Sequence, residues 1–116
     1  MEGAPVTLNE PVPQVPAAAV PDDVVLVDVR EPDEWMAGHA PGARHIPLGE
    51  VSARYEEIPR DSDVYLICRS GARSARVAQA LAGAGWAALN VADGMQGWQA
   101  AGRPMIAESG LTPYVA

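Results

Sequence analysis

The chemistry of this chain centres on Cys68, the only cysteine among its 116 residues. The thiol follows a short apolar run at residues 64–67 and precedes a turn that contains Gly71. A turn that leads from a strand into a helix aims backbone amides at an anion, and Gly71 can adopt the positive φ that lets them converge. Arg69 and Arg73 stand in the same loop, and helix N-termini and cations lower the pKa of a thiol. The pattern therefore predicts a nucleophilic thiolate near neutral pH.

The spacing of Cys68 and Arg73 indicates what the loop can hold. Four residues separate them, one fewer than separate the cysteine and arginine of cysteine phosphatases. We expect the shorter loop to fit a single sulfur atom on the cysteine, a persulfide, rather than a tetrahedral phosphate. A small phosphatase or arsenate reductase remains an alternative, and the spacing argues against it.

Composition and charge exclude several classes of protein. An apolar fraction of 48% is typical of a globular chain, and no stretch approaches the ~20 apolar residues that span a membrane. The N-terminus lacks a secretory signal pattern, so we expect a cytoplasmic protein. A net charge of −7 argues against nucleic acid and anionic membrane as partners. A single cysteine and two histidines exclude a cysteine-rich zinc site, and no metal or cofactor is expected.

Strand and helix patterns alternate along the chain and predict an α/β domain with a parallel sheet covered on both sides. The predicted strands are 12–15, 24–27, 44–46, 64–67 and 87–91, and the predicted helices are 33–36, 48–57, 73–82 and 94–100. Because sites in open parallel sheets form beyond the carboxyl ends of the strands, we expect Asp28 and Cys68 at the same edge. The expected organisation is a flexible N-terminal arm at 1–11, a domain at 12–104 and a C-terminal tail at 105–116.

Four separated motifs resemble those of the single-domain rhodaneses, a family of sulfurtransferases. Residues 25–35 (VLVDVREPDEW) resemble the first motif of the family, and 38–47 (GHAPGARHIP) resemble its Gly-His-x-Pro-Gly-Ala turn. Residues 68–74 (CRSGARS) resemble the active-site loop, and 91–98 (VADGMQGW) resemble the closing Gly-Gly-x-x-x-Trp segment. The resemblance implies a rhodanese-like three-layer fold with a central, mostly parallel five-stranded sheet.

The resemblance also implies a reaction. The Cys68 thiolate would take sulfane sulfur from thiosulfate or a similar anionic donor and pass it, through a Cys68 persulfide, to cyanide or a thiol. The residues implied in substrate binding are Arg69, Ser70, Gly71, Ala72, Arg73 and Ser74. Two alternatives within the family are a persulfide carrier that serves a partner enzyme or a sulfur-relay protein, and a non-catalytic interaction module. Modules of that kind usually lack the cysteine.

Other polar residues of the motifs have more modest expected roles. Asp28 and Arg30 could support the site, and we expect Arg30 to form a buried salt bridge with a carboxylate such as Asp28 or Glu31. His39 is expected to hydrogen-bond its turn rather than to act in catalysis. Ser70 and Ser74 are expected to cap the helix after the loop, with Ser74 also able to donate a hydrogen bond to the sulfur.

Asp93 departs from the family pattern, which commonly has a glycine at this position. Aspartate tolerates left-handed backbone angles better than most residues, so we expect the turn to survive there. Its charge could also disfavour anionic donors if it borders the mouth of the site.

Overall fold

The computed structural model describes residues 11–116. Five strands form one sheet in which every pairing is parallel, with the spatial order β1-β5-β4-β2-β3. The strands are β1 Gln14–Val15, β2 Val25–Asp28, β3 Arg44–His45, β4 Val64–Ile67 and β5 Ala88–Val91. The predicted parallel α/β sheet is therefore confirmed, and β4, which precedes the cysteine, lies at its centre.

Helices cover both faces of the sheet, as expected for a parallel sheet whose strands are apolar on both sides. The α-helices are α1 Pro32–Ala37, α2 Val51–Arg54, α3 Ala72–Gly83 and α4 Gly94–Ala100. Short 3-10 helices occupy Ala17–Ala19, Leu48–Glu50 and Tyr55–Glu57.

The side chains of β4 alternate between two apolar cores, one on each face of the sheet. Val64, Leu66 and Cys68 belong to the core that includes Val77 and Leu81 of α3. Tyr65 and Ile67 point the other way, into the core that contains Met95 and Trp98 of α4 together with Ala17. This period of two places Cys68 on the α3 side of the sheet, directly below the start of that helix.

The helix predicted over residues 48–57 is interrupted. The chain there forms a 3-10 turn, the four-residue helix α2 and a second 3-10 turn. Gly49 lies in the first turn and none of the three segments contains a fully buried residue. Leu48 and Val51 are only partly buried against the core on the α3 side, and so short a contact gives a regular helix little advantage over 3-10 geometry.

The structure describes the two predicted terminal segments to different extents. Most of the arm expected at 1–11 lies outside the described residues. The segment expected as a tail at 105–116 contains no helix or strand, and it nevertheless contacts the domain. Ile106 forms an antiparallel bridge with His39, and the amide of Tyr114 donates to the carbonyl of Ala37 over 3.0 Å.

Candidate active site

The sulfur of Cys68 lies in a cradle of hydrogen-bond donors at the carboxyl end of β4. The amide of Gly71 donates to Sγ over 3.1 Å, the amide of Ser74 over 3.4 Å and the hydroxyl of Ser74 over 3.3 Å. Cys68 is only 1% exposed, so a reacting molecule must enter the loop to reach the sulfur. These donors all point at one atom, which is the arrangement that stabilises a negative charge on it.

The same contacts explain the acidity of the thiol. Burial acts to raise the pKa of Cys68, and hydrogen bonds from the Ser74 hydroxyl and from the amides of Ser74, Gly71 and Ser70 outweigh it. The pKa of the Cys68 thiol is therefore lowered from its ordinary value. The described hydrogen bonds to this sulfur come from amides and a hydroxyl, whereas the sequence had suggested a contribution from arginine.

Glycines permit the tight packing of this loop. Gly71 has φ of +101° and precedes α3, and a Cβ there would collide with the carbonyl of Ala92. Gly94 has φ of +58°, and a Cβ there would lie 2.5 Å from the carbonyl oxygens of Cys68 and Arg69. The start of α4 instead binds those carbonyls, through the amides of Met95 and Gln96 at 2.8 and 3.0 Å. The closing motif of the sequence thus fixes the backbone of the cysteine loop.

The expected serine caps of α3 are absent. Gly71 occupies the N-cap position and no side chain caps the helix. Ser74 is fully buried and turns its hydroxyl toward the sulfur, as the alternative role expected for it required. The capping prediction was wrong because the donors at the start of the helix are used by the thiol instead of by a side-chain oxygen.

The arginines of the loop differ in their partners. Arg73 forms a bidentate pair with Glu34 of α1, with N–O distances of 2.7 and 2.8 Å. This pair lowers the pKa of Glu34 from 4.5 to about 2 and raises the pKa of Arg73. Arg69 is exposed and has no ion pair within residues 11–116. Glu34 was missed from the sequence, since nothing in the chain signals a pairing between residues so far apart.

Asp28 and Arg30 lie at the end of β2, beside the loop, and form the predicted buried salt bridge. Both are fully buried; Arg30 Nη2 is 2.8 Å from Asp28 Oδ2 and donates over 2.8 Å to the carbonyl of Gly38. Arg30 thereby joins the end of β2 to the end of α1. Among the described contacts, neither side chain touches Cys68, so any support of the site acts through the backbone.

Asn90 of β5 is a further residue that sequence reasoning missed. It is 2% exposed, and its Oδ1 lies 2.6 Å from the Ser74 hydroxyl, where it is a second acceptor for the hydrogen that can also reach Cys68 Sγ. Its Nδ2 donates to the carbonyl of Gly71 over 3.1 Å. An asparagine inside an otherwise apolar predicted strand is the signal that could have identified it.

His39 and Asp93 have structural contacts. The Nδ1 atom of His39 lies 2.9 Å from the Trp35 carbonyl and its ring stacks on Trp35 at 3.5 Å, so this hydrogen bond is made to helix α1 rather than to the expected turn. Asp93 has φ of −103°, so the expected left-handed geometry is wrong; the positive φ falls on Gly94. The carboxylate of Asp93 accepts from the amide of Ala17 over 2.7 Å and so ties the first 3-10 helix to the start of α4.

Comparison with known proteins places this arrangement in a family. The model of the Rhodanese-like domain matches residues 16–101. The chain belongs to the rhodanese-like family. This domain is similar to a protein of Allochromatium vinosum named "Sulfurtransferase", with 40% identity over 90 residues that make up 77% of this chain and 84% of that protein. It is also similar to the "Putative sulfurtransferase YtwF" of Bacillus subtilis, at 36% identity over 72% of this chain and 81% of the relative.

The chain is also similar to a protein named as a putative sulfur carrier. The "Putative sulfur carrier protein YrkF" of Bacillus subtilis is 42% identical over 63% of this chain, which spans 40% of that longer protein. Among solved structures, a rhodanese-related protein from Thermoplasma volcanium matches with a TM-score of 0.71 and 32% identity, over 73% of this chain and 85% of that one. The resemblance to the rhodaneses, their three-layer fold and a relation to sulfurtransferases and sulfur carriers are therefore confirmed.

The described residues contain neither a candidate metal cluster nor a candidate membrane-spanning helix. Residues 11–116 include no group of three or more His, Cys, Asp or Glu side chains placed to hold a metal ion. No helix in that part of the chain is long and apolar enough to cross a membrane.

Proposed function

We propose that this rhodanese-like domain is a sulfurtransferase that moves sulfane sulfur from thiosulfate, or a similar small anionic donor, to a thiophilic acceptor such as cyanide or a thiol. The observation that carries the proposal is the set of donors from Gly71 and Ser74 that converge on Cys68 Sγ at 3.1–3.4 Å. A sulfur that is held as an anion by neutral donors remains a nucleophile, because no counter-ion is bound to it.

In the first step the Cys68 thiolate attacks the outer sulfur of thiosulfate. A bond forms between the two sulfurs, the sulfur–sulfur bond of the donor breaks, and sulfite departs with the electron pair. The product is a Cys68 persulfide with its negative charge on the terminal sulfur. Backbone amides of the loop from Ser70 to Ser74 would stabilise this charge, as amides do in an oxyanion hole.

In the second step the acceptor attacks the terminal sulfur. Cyanide would leave as thiocyanate and a thiolate would leave as a persulfide, and in both cases the Cys68 thiolate is released with the bonding electrons. The cycle is ping-pong, with one covalent intermediate. The hydrogen bonds that lower the pKa of Cys68 also make its thiolate a better leaving group here.

Donor binding is assigned to the loop from Arg69 to Ser74. Arg69 is the loop arginine without a carboxylate partner among the described residues, so we assign it the main charge interaction with the donor. Arg73, which is bound to Glu34, would hold the loop in position and add a weaker attraction.

The test is thiocyanate formation from thiosulfate and cyanide. We expect turnover by the wild type, none by Cys68→Ser, and unchanged turnover by the matched control Ser62→Ala, whose exposed hydroxyl donates to Asp61. Undiminished activity in Cys68→Ser, or an inactive wild type that also fails to acquire sulfur from any donor, would contradict the proposal.

A second candidate function is a persulfide carrier that delivers sulfur to a partner enzyme. The relative named as a putative sulfur carrier supports it, as does the Glu34–Arg73 pair, which leaves fewer free cations for a dianionic donor. Intact mass measurements after treatment with thiosulfate, and in parallel with cysteine plus a cysteine desulfurase, separate the two. Addition of one sulfur by the desulfurase alone favours the carrier, and addition by thiosulfate favours the enzyme.

A further inference from the structure

Asn90 lies behind the cysteine loop and touches it at two points. Its Nδ2 donates to the carbonyl of Gly71 over 3.1 Å and to Gln14 Oε1 over 2.8 Å. Its Oδ1 lies 2.6 Å from the Ser74 hydroxyl, which is itself 3.3 Å from Cys68 Sγ. A buried row of polar groups thus runs from β5 through Ser74 to the sulfur.

The orientation of the Asn90 amide follows from its partners. The Gly71 carbonyl can only accept hydrogen bonds, so the nitrogen of Asn90 must face it. The oxygen of Asn90 must then face Ser74, where it can only accept. The assignment is therefore determined by the network.

Two acceptors compete for the single hydrogen of the Ser74 hydroxyl. The hydroxyl carries one hydrogen, and both Asn90 Oδ1 and an ionised Cys68 Sγ require it. While Cys68 is a neutral thiol, Ser74 can donate to Asn90 and accept from the S–H group. When Cys68 ionises, the hydroxyl must turn to the sulfur, and Asn90 Oδ1 loses its buried donor.

We propose that Asn90 is a positioning residue that competes with the sulfur of Cys68 for the Ser74 proton and so sets how readily the thiol ionises. The hydroxyl donates to one of two acceptors: to Asn90 when the sulfur is neutral, and to Cys68 when the sulfur is anionic. A buried acceptor without a donor is costly, so Asn90 holds back ionisation of the thiol.

The two positions of the Ser74 hydroxyl match the steps of the sulfur-transfer cycle, a correspondence that rests on the proposed function. In the persulfide the charge lies on the terminal sulfur, so Ser74 returns to Asn90 and the inner sulfur loses a donor. When the acceptor removes the terminal sulfur, the hydroxyl turns back and stabilises the leaving Cys68 thiolate. The return of the hydroxyl from Asn90 to Cys68 thus coincides with the return of negative charge to the inner sulfur.

The test is the titration of Cys68 by the ultraviolet absorbance of the thiolate, with Cys68→Ser as the blank. Asn90→Leu has a similar size and lacks the acceptor, so we expect its titration midpoint to be lower than that of the wild type. Well below the midpoint, the thiolate fraction should rise by roughly two- to tenfold. Gln14→Leu removes the other side-chain partner of Asn90 at an exposed position and should leave the titration unchanged.

The double variant tests whether the effect passes through Ser74. Ser74→Ala should raise the midpoint, and adding Asn90→Leu to it should cause no further shift, because the proton for which Asn90 competes is gone. A midpoint raised by Asn90→Leu, or the same shift with and without Ser74, would overturn the proposal. Every variant retains the charged groups in and beside the loop: Arg69, the Arg73–Glu34 pair and the Asp28–Arg30 pair.

Folding of the variants is checked by near-ultraviolet circular dichroism. The Gly71 carbonyl keeps a donor in Asn90→Leu, since the amide of Ala75 also binds it at 3.1 Å. If Asn90→Leu does not fold, Asn90→Ala replaces it with the same expected direction and the same contradicting outcomes. The titration needs no substrate. It therefore tests the role of Asn90 even if the protein fails to transfer sulfur from thiosulfate.

Discussion

Two buried polar clusters lie at the carboxyl ends of neighbouring strands, and they treat negative charge in different ways. At the end of β2, the carboxylate of Asp28 is bound by the guanidinium of Arg30, and both groups are fully buried. At the end of β4, the sulfur of Cys68 is bound by two amides and a hydroxyl. The first cluster neutralises its anion, whereas the second stabilises an anion without neutralising it.

The partners of each anion determine which of the two clusters can react. An anion paired with a buried cation gives up much of its stability if either partner changes, so Asp28–Arg30 suits a structural role. Neutral donors can follow the charge from one sulfur to the next, because they are not committed to one atom by a full opposite charge. Of the two arginines in the loop, Arg73 is paired with Glu34 and Arg69 is exposed, and neither is among the described hydrogen-bond donors to the sulfur.

The largest expected effect comes from breaking the neutralised cluster. Arg30→Met leaves Asp28 buried without its cation, and we expect the free energy of unfolding to fall by about 3–5 kcal/mol. Cys68→Ser retains a small acceptor for the same neutral donors, and we expect a loss below about 1 kcal/mol. Urea denaturation followed by tryptophan fluorescence measures both.

A double variant provides the control for this prediction. Asp28→Leu combined with Arg30→Met removes both charges and should recover part of the lost stability. Equal losses in Arg30→Met and Cys68→Ser would show that the two clusters do not differ as described.

The second prediction removes the convergence of the amides. Gly71→Ala forces a Cβ into the Ala92 carbonyl at a φ of +101°, and we expect a loss of roughly 2–4 kcal/mol together with a higher pKa of Cys68. Gly42→Ala is the matched control, because Gly42 has φ of +78° and open space around it. Its cost should be about 1 kcal/mol, with no change in the thiol titration. Similar losses in the two variants would contradict the role of the close approach.

The fold and the position of the thiol were predictable because they depend on local patterns. The apolar run at 64–67 and the alanine-rich segment after Gly71 predict a strand and a helix, and parallel topology then brings Cys68 and Asp28 to one edge. The end of α3 was predicted within one residue, at Ala82 against Gly83.

The partners of the site residues were less predictable because they come from distant positions. Glu34 is 39 residues before Arg73, and Asn90 is 16 residues after Ser74. Hydrogen-bond partners of this kind depend on side-chain directions that periodicity does not encode. The capping role expected for Ser70 and Ser74 was wrong because the amides at the start of α3 donate to the thiol instead.

The third prediction concerns the Glu34–Arg73 pair beside the cysteine loop, in which Glu34 offsets the charge of Arg73. The pKa of Glu34 is lowered in the folded protein from 4.5 to about 2. Its stabilising contribution is therefore complete above pH 4.5 and is lost as the pH falls toward 2. We expect Glu34→Gln to reduce stability by roughly 1–2 kcal/mol near neutral pH and to flatten the acid part of the stability curve.

A matched control exists on the surface. Glu57 pairs with Arg54 at 2.9 Å at an exposed site, so Glu57→Gln should change stability little. If Glu34 offsets the charge of Arg73 near the sulfur, Glu34→Gln should also lower the pKa of Cys68, because the positive charge of Arg73 is then uncompensated. An unchanged acid profile in Glu34→Gln would contradict the pairing.

The smallest expected effect tests whether the loop arginine without an ion pair among the described residues, Arg69, acts on the donor rather than on the sulfur. Arg69 is exposed and lacks an ion pair among the described residues, so its charge can interact with a dianion that enters the loop. Arg69→Gln should raise the KM for thiosulfate roughly three- to tenfold with little change in kcat or in the thiol titration. Arg76→Gln, at another exposed position one turn beyond Arg73, should have a much weaker effect. High salt should reduce the difference, since exposed charges are screened. If Arg69→Gln shifted the titration of Cys68 instead of the KM, the thiolate would be neutralised by a cation after all, and the contrast with Asp28–Arg30 would fail.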